Sequence, residues 1–276
     1  MRWSERQVVM LREMGVRLWA PQPDPMGDEL LERQPLPDEL GDDIPLPPAE
    51  REASAAPAAL GSSVAAPAAQ PAVLGDVARM DWDELREAVV ACTACGLCKG
   101  RRQTVFGVGH RRAHWMIVGE APGEQEDIRG EPFVGKSGQL LDNMLRAIGL
   151  SRADPPEGTA AEAAAAQQVY IANTIKCRPP GNRNPEPDEL ERCEPFLIRQ
   201  LQLVQPKIVV AMGRFAVQSL LRSTDPIGRL RGRVHRYQGV PLIVTYHPAY
   251  LLRNPEEKAK AWDDLCLARA AAAQSD

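Results

Sequence analysis

Between Trp82 and Ala273 the sequence alternates four short apolar runs, "HWMIVG", "QVYIANTIK", "KIVVAMG" and "VPLIVTYHP", with longer segments of helical spacing. Apolar runs of this length with no strict polar alternation are buried on both faces, as in parallel sheets covered by helices. The intervening segments supply those helices. "WDELREAVVAC", after the cap-forming Asp81, opens the order, and "GQLLDNMLRAIGL" follows with apolar residues at 140, 141, 144, 145 and 148. "PDELERCEPFLIRQLQLV", "RFAVQSLL" and the terminal "PEEKAKAWDDLCLARAAAA" complete it. The expected fold class is α/β, three layers α/β/α around a mainly parallel central sheet. "AAEAAAA" at 160–166 reads as a low-complexity loop insertion with some helical tendency, and there is no convincing internal repeat.

The first part of the chain has a different composition. Residues 1–20 have Val8, Val9, Leu11, Met14 and Leu18 near helical spacing, which predicts a short amphipathic segment. Arg12 and Glu13 interrupt the apolar run, so it predicts neither an export signal nor a membrane span, and a cytoplasmic location is expected. Residues 21–78 are rich in proline, alanine and acid and offer almost nothing to bury, which predicts a disordered linker ahead of a folded domain at 79–276. The whole-chain formal charge is −4, but residues 21–52 alone hold ten acids against two arginines. The acidic balance therefore does not exclude nucleic-acid binding by the folded part.

In a parallel sheet, ligands gather beyond the C-terminal ends of the strands. Three polar clusters fall there: "GEAPG" after the first strand, Asn173 near the end of the second, and "HPAYLLRNP" after the last. The first belongs to a loop, Gly119 to Gly135, with five carboxylates. Six cysteines are unevenly placed, three of them in "CTACGLC" (Cys92, Cys95, Cys98), with Cys177, Cys193 and Cys266 downstream. The C-x-x-C spacing points to metal rather than disulfides, and on spacing alone zinc and an iron–sulfur cluster stay equally open. Cys266, between Leu265 and Leu267, reads as core.

"CTAC", "GEAPGEQED", "PFVGKSGQLL", "NTIKCRPPGNRNPEPDELERC" and "HPAYLLR" occur in order between about residues 84 and 265. Together they resemble the family-four, iron–sulfur uracil-DNA glycosylases. The resemblance implies the uracil-DNA glycosylase fold, hydrolysis of the N-glycosidic bond of uracil in single- or double-stranded DNA, and a [4Fe–4S] cluster on Cys92, Cys95, Cys177 and Cys193. Cys98 departs from the family pattern and keeps the ligand set open by one position.

The resemblance also assigns roles in the pocket. Asn173 maps to the asparagine that reads uracil, His247 to the donor to uracil O2, and Phe133 to the ring on which the flipped base stacks. Gly119 and Ala121 form the turn where the base approaches the backbone. Family-one enzymes carry a water-aligning aspartate at the position of Ala121, so this chain lacks that base. Glu120 is the acid expected to position water or the pocket backbone, and Glu126 is a candidate for closing the pocket against thymine's methyl group. Glu124, Asp127 and Glu131 read as solvated loop acids. DNA contact is expected from Leu251 or Leu252 as a wedge, with Arg253, Lys136, Ser137, Arg178 and Arg183 meeting phosphate. His110, His114 and His235 read as surface or packing residues.

A superfamily relative that traps uracil-DNA covalently has a "GEQPG" loop and a basic insertion. The "GEAPG" and "KCRPPGNRNP" of this chain favour a hydrolase instead. The other reading is a non-catalytic iron–sulfur nucleic-acid-binding module of a replication or repair complex. "LREMGVRLW" resembles the start of the psi subunit of the bacterial polymerase III clamp loader through Leu11, Met14, Gly15, Val16 and Trp19, which implies a replisome contact through residues 1–20.

Overall fold

The computed structural model describes Glu13 and residues 77–274. The amphipathic segment at 1–20, apart from Glu13, and the linker up to residue 76 lie outside the described residues. Val77, which the expected boundary at 78 assigns to the linker, is buried within the domain.

Helix α1 (Trp82–Ala91) starts at the predicted cap. The Asp81 carboxylate accepts from the backbone N–H groups of Asp83 and Glu84, and Glu84 accepts from the Asp81 N–H in return. A two-residue edge strand β1 (Val108–Gly109) precedes β2 (Trp115–Gly119). Helices α2 (Glu124–Arg129), α3 (Gly135–Ala147) and α4 (Ala161–Gln167) lead to β3 (Val169–Asn173). Helix α5 (Pro187–Val204), strand β4 (Ile208–Met212) and helices α6 (Arg214–Leu221) and α7 (Ile227–Leu230) follow. The hairpin β5 (Val234–Tyr237) and β6 (Val240–Thr245) leads into α8 (Pro248–Arg253) and α9 (Lys258–Ala273).

The sheet order is β1-β3-β2-β4-β6-β5. The four central strands are parallel, as the apolar runs predict, and the two edge strands pair antiparallel. Strand alternation sends successive side chains to opposite faces. Trp115 and Ile117 of β2 pack with α3 and α9 through Leu141, Met144 and Leu265. Met116 and Val118 face the other way, toward Leu85 of α1 and Phe196 and Leu201 of α5. These two apolar layers make the three-layer α/β/α architecture.

Two local expectations are corrected. The alanine-rich segment at 160–166 is not a loop: α4 buries Ala164 and Ala165, and His114 donates its backbone N–H to the Ala165 carbonyl. The acidic stretch after "GEAPG" likewise contains a helix, α2, closed by Gly130 at φ 75.

Candidate active site

The C-terminal ends of β2, β3 and β6 open on a cleft of ≈ 520 Å³ whose lining includes Glu120, Phe133, Ser137, Asn173, His247 and Arg253. Gly119 ends β2 in register with Asn173 at the end of β3. A Cβ on Gly119 would lie 2.5 Å from Asn173 Oδ1 and 2.5 Å from Phe133 Cζ, so only glycine lets both side chains come together here. Asn173 is 2% exposed, and among the described residues its carboxamide has no hydrogen-bond partner. Its polar atoms are not fully enclosed but open on the cleft, where a ligand can complete them.

Phe133 occupies the left-handed region at φ 54, an uncommon backbone state for an aromatic residue and one that marks functional loops. Arg152 pins it, donating to the carbonyls of Pro132 at 3.0 Å and Phe133 at 3.2 Å while its Nε holds Asp142. Gly138 lets the Phe133 carbonyl sit against α3, since a Cβ there would lie 1.7 Å from that oxygen. One face of the Phe133 ring stacks on the His247 imidazole at 5.3 Å between centroids and 26°.

His247 caps α8, accepting the Ala249 N–H at Nδ1 (3.1 Å). In the neutral ring the proton therefore sits on Nε2, which is left as a donor. Burial, with Arg253 adding to it, lowers the imidazole pKa from its ordinary 6.5 to about 4. Gly213 (φ 95) lies against the ring, with its Cβ position 3.0 Å from His247 Cβ.

The acids sort differently from the sequence reading. Burial raises the Glu120 carboxyl to about 7, opposed by the Arg214 guanidinium. The Glu120 backbone carbonyl accepts from Thr174 Oγ1 at 2.6 Å, which ties the turn to the end of β3. Glu126 is not free to act as a gate. Its two carboxylate oxygens accept from the Gly123 N–H (3.1 Å) and the Val134 N–H (2.9 Å), which clamps the loop carrying Phe133. Asp127 is not a solvated acid: it is 2% exposed and accepts the Arg102 N–H on both oxygens. Glu124 and Glu131 are exposed as expected. Ala121 packs among Leu97, Ile175 and Cys177, joining the turn to the cysteine region.

Of the expected DNA contacts, Leu251 is corrected: it is fully buried in the core beneath α8 and is not available as a wedge, whereas Leu252 is 42% exposed. Arg183 is also corrected as a free phosphate ligand, because its guanidinium forks onto Glu189 at 2.6 and 2.9 Å and reaches Glu186 at 3.3 Å. Arg178 bonds Asn182 at 2.7 Å and lies 3.9 Å from Glu124. Lys136 is exposed at the start of α3, Ser137 lines the cleft, and Arg253 is exposed at its rim.

Cys92, Cys95, Cys98, Cys177 and Cys193 all line one small cavity between α1, α5 and the segment after β3. The Lys176 N–H donates to Cys193 Sγ at 3.3 Å and Arg101 to Cys177 Sγ at 3.0 Å, contacts that suit sulfur carrying negative charge. Burial raises the Cys95 and Cys177 thiols and pushes Cys193 up to about 12. No three His, Cys, Asp or Glu side chains among the described residues form a site for a single metal ion. The donor set, five thiols on one cavity with N–H donors on two of them, fits a thiolate-held iron–sulfur centre. Cys266 does not line this cavity.

Three residues with roles in the site escape a reading of the sequence. Arg214 faces Glu120. Lys176, 1% exposed, donates to the Asn173 carbonyl at 2.9 Å and to Gln200 Oε1 at 2.6 Å. Gln200 continues the chain to the Phe106 carbonyl and the Tyr170 hydroxyl. Buried polar residues in helices and at strand ends carry no periodic signal. The one available clue was the position of Lys176 beside a candidate ligand cysteine.

A family model for the uracil DNA glycosylase superfamily matches residues 106–266. The type-4 uracil-DNA glycosylase of Archaeoglobus fulgidus is 41% identical over 182 residues, 63% of this chain and 84% of that one. That of Pyrobaculum aerophilum is 38% identical over 198 residues, 68% and 93% of the two chains. That of Sulfurisphaera tokodaii is 41% identical over 182 residues, 63% and 76%. With its sheet order, its strand-end cleft and relatives of this closeness, the chain belongs to the uracil-DNA glycosylase superfamily, alongside the type-4 enzymes.

Proposed function

We propose that this chain excises uracil from DNA, hydrolysing the N-glycosidic bond and leaving an abasic site. The observation that carries the reading is the buried, unpartnered carboxamide of Asn173 in the same cleft as the free Nε2 of His247. Uracil in a duplex is stacked, so the nucleotide must first be flipped into the cleft. Asn173 then accepts from uracil N3–H and donates to O4. Cytosine offers the opposite pattern on that edge and would leave the amide unpaired. The Phe133 loop, clamped by Glu126 and Arg152, supports the base from its face.

As the glycosidic bond breaks, negative charge collects on uracil O2, and the His247 Nε2–H is the fixed donor for it. Because His247 stays neutral down to about pH 4, it acts as a hydrogen-bond donor without first having to be protonated. Ala121 supplies no base, so water is positioned by Glu120, whose carboxyl titrates near neutrality. With uracil anion leaving, orientation and charge stabilisation carry most of the acceleration. Leu252, at the exposed edge of α8, fills the gap in the stack, and Arg253, Lys136 and Ser137 meet phosphate.

Cys92, Cys95, Cys177 and Cys193 would hold a [4Fe–4S] cluster, whose contribution is to cross-link α1, α5 and the segment after β3. No described helix is long and apolar enough to cross a membrane. A cytoplasmic location is proposed from the sequence, where Arg12 and Glu13 interrupt the apolar run of residues 1–20, and that segment is proposed to contact a clamp loader. A pull-down with that segment that recovers no replication protein would remove the latter idea.

The deciding assay is incubation of the purified chain with a uracil-containing oligonucleotide, followed by alkali. Strand cleavage that disappears with Asn173→Ala and His247→Ala is expected. No cleavage by iron-replete protein would favour the DNA-binding module instead.

A further inference from the structure

A second and larger cavity, ≈ 830 Å³, lies along the open edge of the sheet beside β1 and reaches the C-terminal end of α2. Its walls carry five arginines: Arg86, Arg101, Arg102, Arg111 and Arg129. Only two carboxylates, Glu131 and Asp154, share the lining. Arg86, Arg102 and Arg129 have no carboxylate partner among the described residues. All three are exposed and hydrated, and together they create a positive field that attracts an anion to the cavity.

The cavity is also built rigidly. Trp82 packs edge-on against Phe106 (5.7 Å) and Tyr170 (5.2 Å), forming a buried aromatic floor. Arg86 lies over Phe106 at 5.0 Å and Arg111 over Trp82 at 5.5 Å, so both guanidinium planes are held by ring faces. The segment bearing Arg101 and Arg102 is fastened to α2 twice, by Asp127 on the Arg102 N–H and by Gln103 Nε2 on the Ile128 carbonyl at 2.5 Å. This gives the buried Asp127 a purpose that the catalytic cleft does not supply.

Helix α2 connects the two cavities. Glu126 stands in the catalytic wall and Arg129 in the arginine wall of the same six-residue helix. Glu126 and Arg129 stand three residues apart, a rise of about 4.5 Å along the helix. Nucleotides rise about 3.4 Å each along a strand, so the arginine wall begins roughly one to two nucleotides from the catalytic wall. The aromatic rings are buried and already stacked against arginine, so the cavity offers charge to a ligand and no free ring face to a base.

We propose that this arginine cavity is a second DNA site, taking the phosphodiester backbone of the strand that flanks the flipped nucleotide. The proposal rests on reading the strand-end cleft as the uracil site. It explains why the folded part concentrates arginine here although most of the expected phosphate ligands surround the other cleft.

The test uses the full chain with R86E, R102E and R129E combined, and a second variant with glutamine at the same three positions. Cleavage is measured on a long uracil oligonucleotide and on one trimmed to the nucleotides next to the uracil. Binding of a uracil-free strand is followed by fluorescence anisotropy over a range of salt. The charge-reversed variant should raise KM for the long substrate by about tenfold or more and lower the salt slope of binding by about 2, at roughly 0.7 per lost phosphate contact. The glutamine variant should follow with a smaller KM change. Kinetics on the trimmed substrate should not move, and the melting temperature should fall by no more than about 4 °C, from the loss of Arg86 over Phe106. An unchanged KM and salt slope, or equal losses on both substrates, would overturn the proposal. Failure of the native chain to cleave uracil would overturn the catalytic reading instead, and the anisotropy slopes would still decide whether the cavity binds DNA.

Discussion

Gly119→Ala tests the geometry of the cleft more sharply than removal of a catalytic side chain, because it adds one methyl group and deletes nothing. The new Cβ would stand 2.5 Å from Asn173 Oδ1 and from Phe133 Cζ, and 2.6 Å from Phe133 Cε2, about 0.9 Å short of the 3.4 Å where ordinary contact begins. Neither neighbour can yield easily. The Phe133 ring is backed by His247, and its carbonyl is held by Arg152 and packed over Gly138. Asn173 is fixed by its place at the end of β3 and by Lys176 on its carbonyl. A displacement near 1 Å in a positioned group costs about 10²-fold in rate, or about 2.7 kcal/mol of barrier. Overpacking should cost about 1–3 kcal/mol of stability, a fall in Tm of about 2–12 °C for a domain of this size. Single-turnover release of uracil should therefore slow by about 10²-fold, while KM, set largely by phosphate contacts outside the turn, changes little. In an Asn173→Ala background the same substitution should cost much less, since one of the two collisions is gone. A Gly119→Ala protein whose kcat stays within about threefold of the native value, a barrier change under ~1 kcal/mol, would refute the argument.

The pH profile of kcat separates the two titrating groups of the cleft. Glu120, raised to about 7, is protonated below that pH and a carboxylate above it, so activity should rise through about pH 7. His247, lowered to about 4, stays neutral across pH 5–8 and should add no inflection near its ordinary 6.5. Glu120→Gln should abolish the rise, and a rise that survives it would exclude Glu120 as the group observed. Leu251→Ala should lower stability by about 2–5 kcal/mol and affect single- and double-stranded substrates alike. Leu252→Ala should leave Tm nearly unchanged, within about 0.5 kcal/mol, and slow duplex cleavage more than single-strand cleavage. Cys193→Ser should lose iron content and visible absorption and melt lower, whereas Cys98→Ser should keep both. Equal iron loss in the two would place Cys98 among the ligands.

What the sequence made legible follows from which interactions are local. β2, β3, β4 and β6 were readable because strands buried on both faces must be continuously apolar, and α5 because Pro187, Glu186 and Glu189 mark its start. The edge strands were not, since β1 is two residues long and β5 is half exposed, leaving no run to detect. Asn173, Phe133 and His247 were found through motif resemblance, but what brings them together, the missing side chain of Gly119, acts across strands 54 positions apart in the chain. Adjacent leucines could not be ranked by type: Leu251 and Leu252 are chemically identical, and only the docking of α8 on α3 sends one inward. Charge was the most misleading signal. Arg183 and Asp127 look like surface residues because an isolated arginine or aspartate usually is one, yet each is committed to a partner that sequence spacing does not announce. The arginines of the second cavity show the converse. Drawn from α1, the cysteine segment, the turn after β1 and the end of α2, they look scattered in the chain, and only the fold gathers their charge in one place.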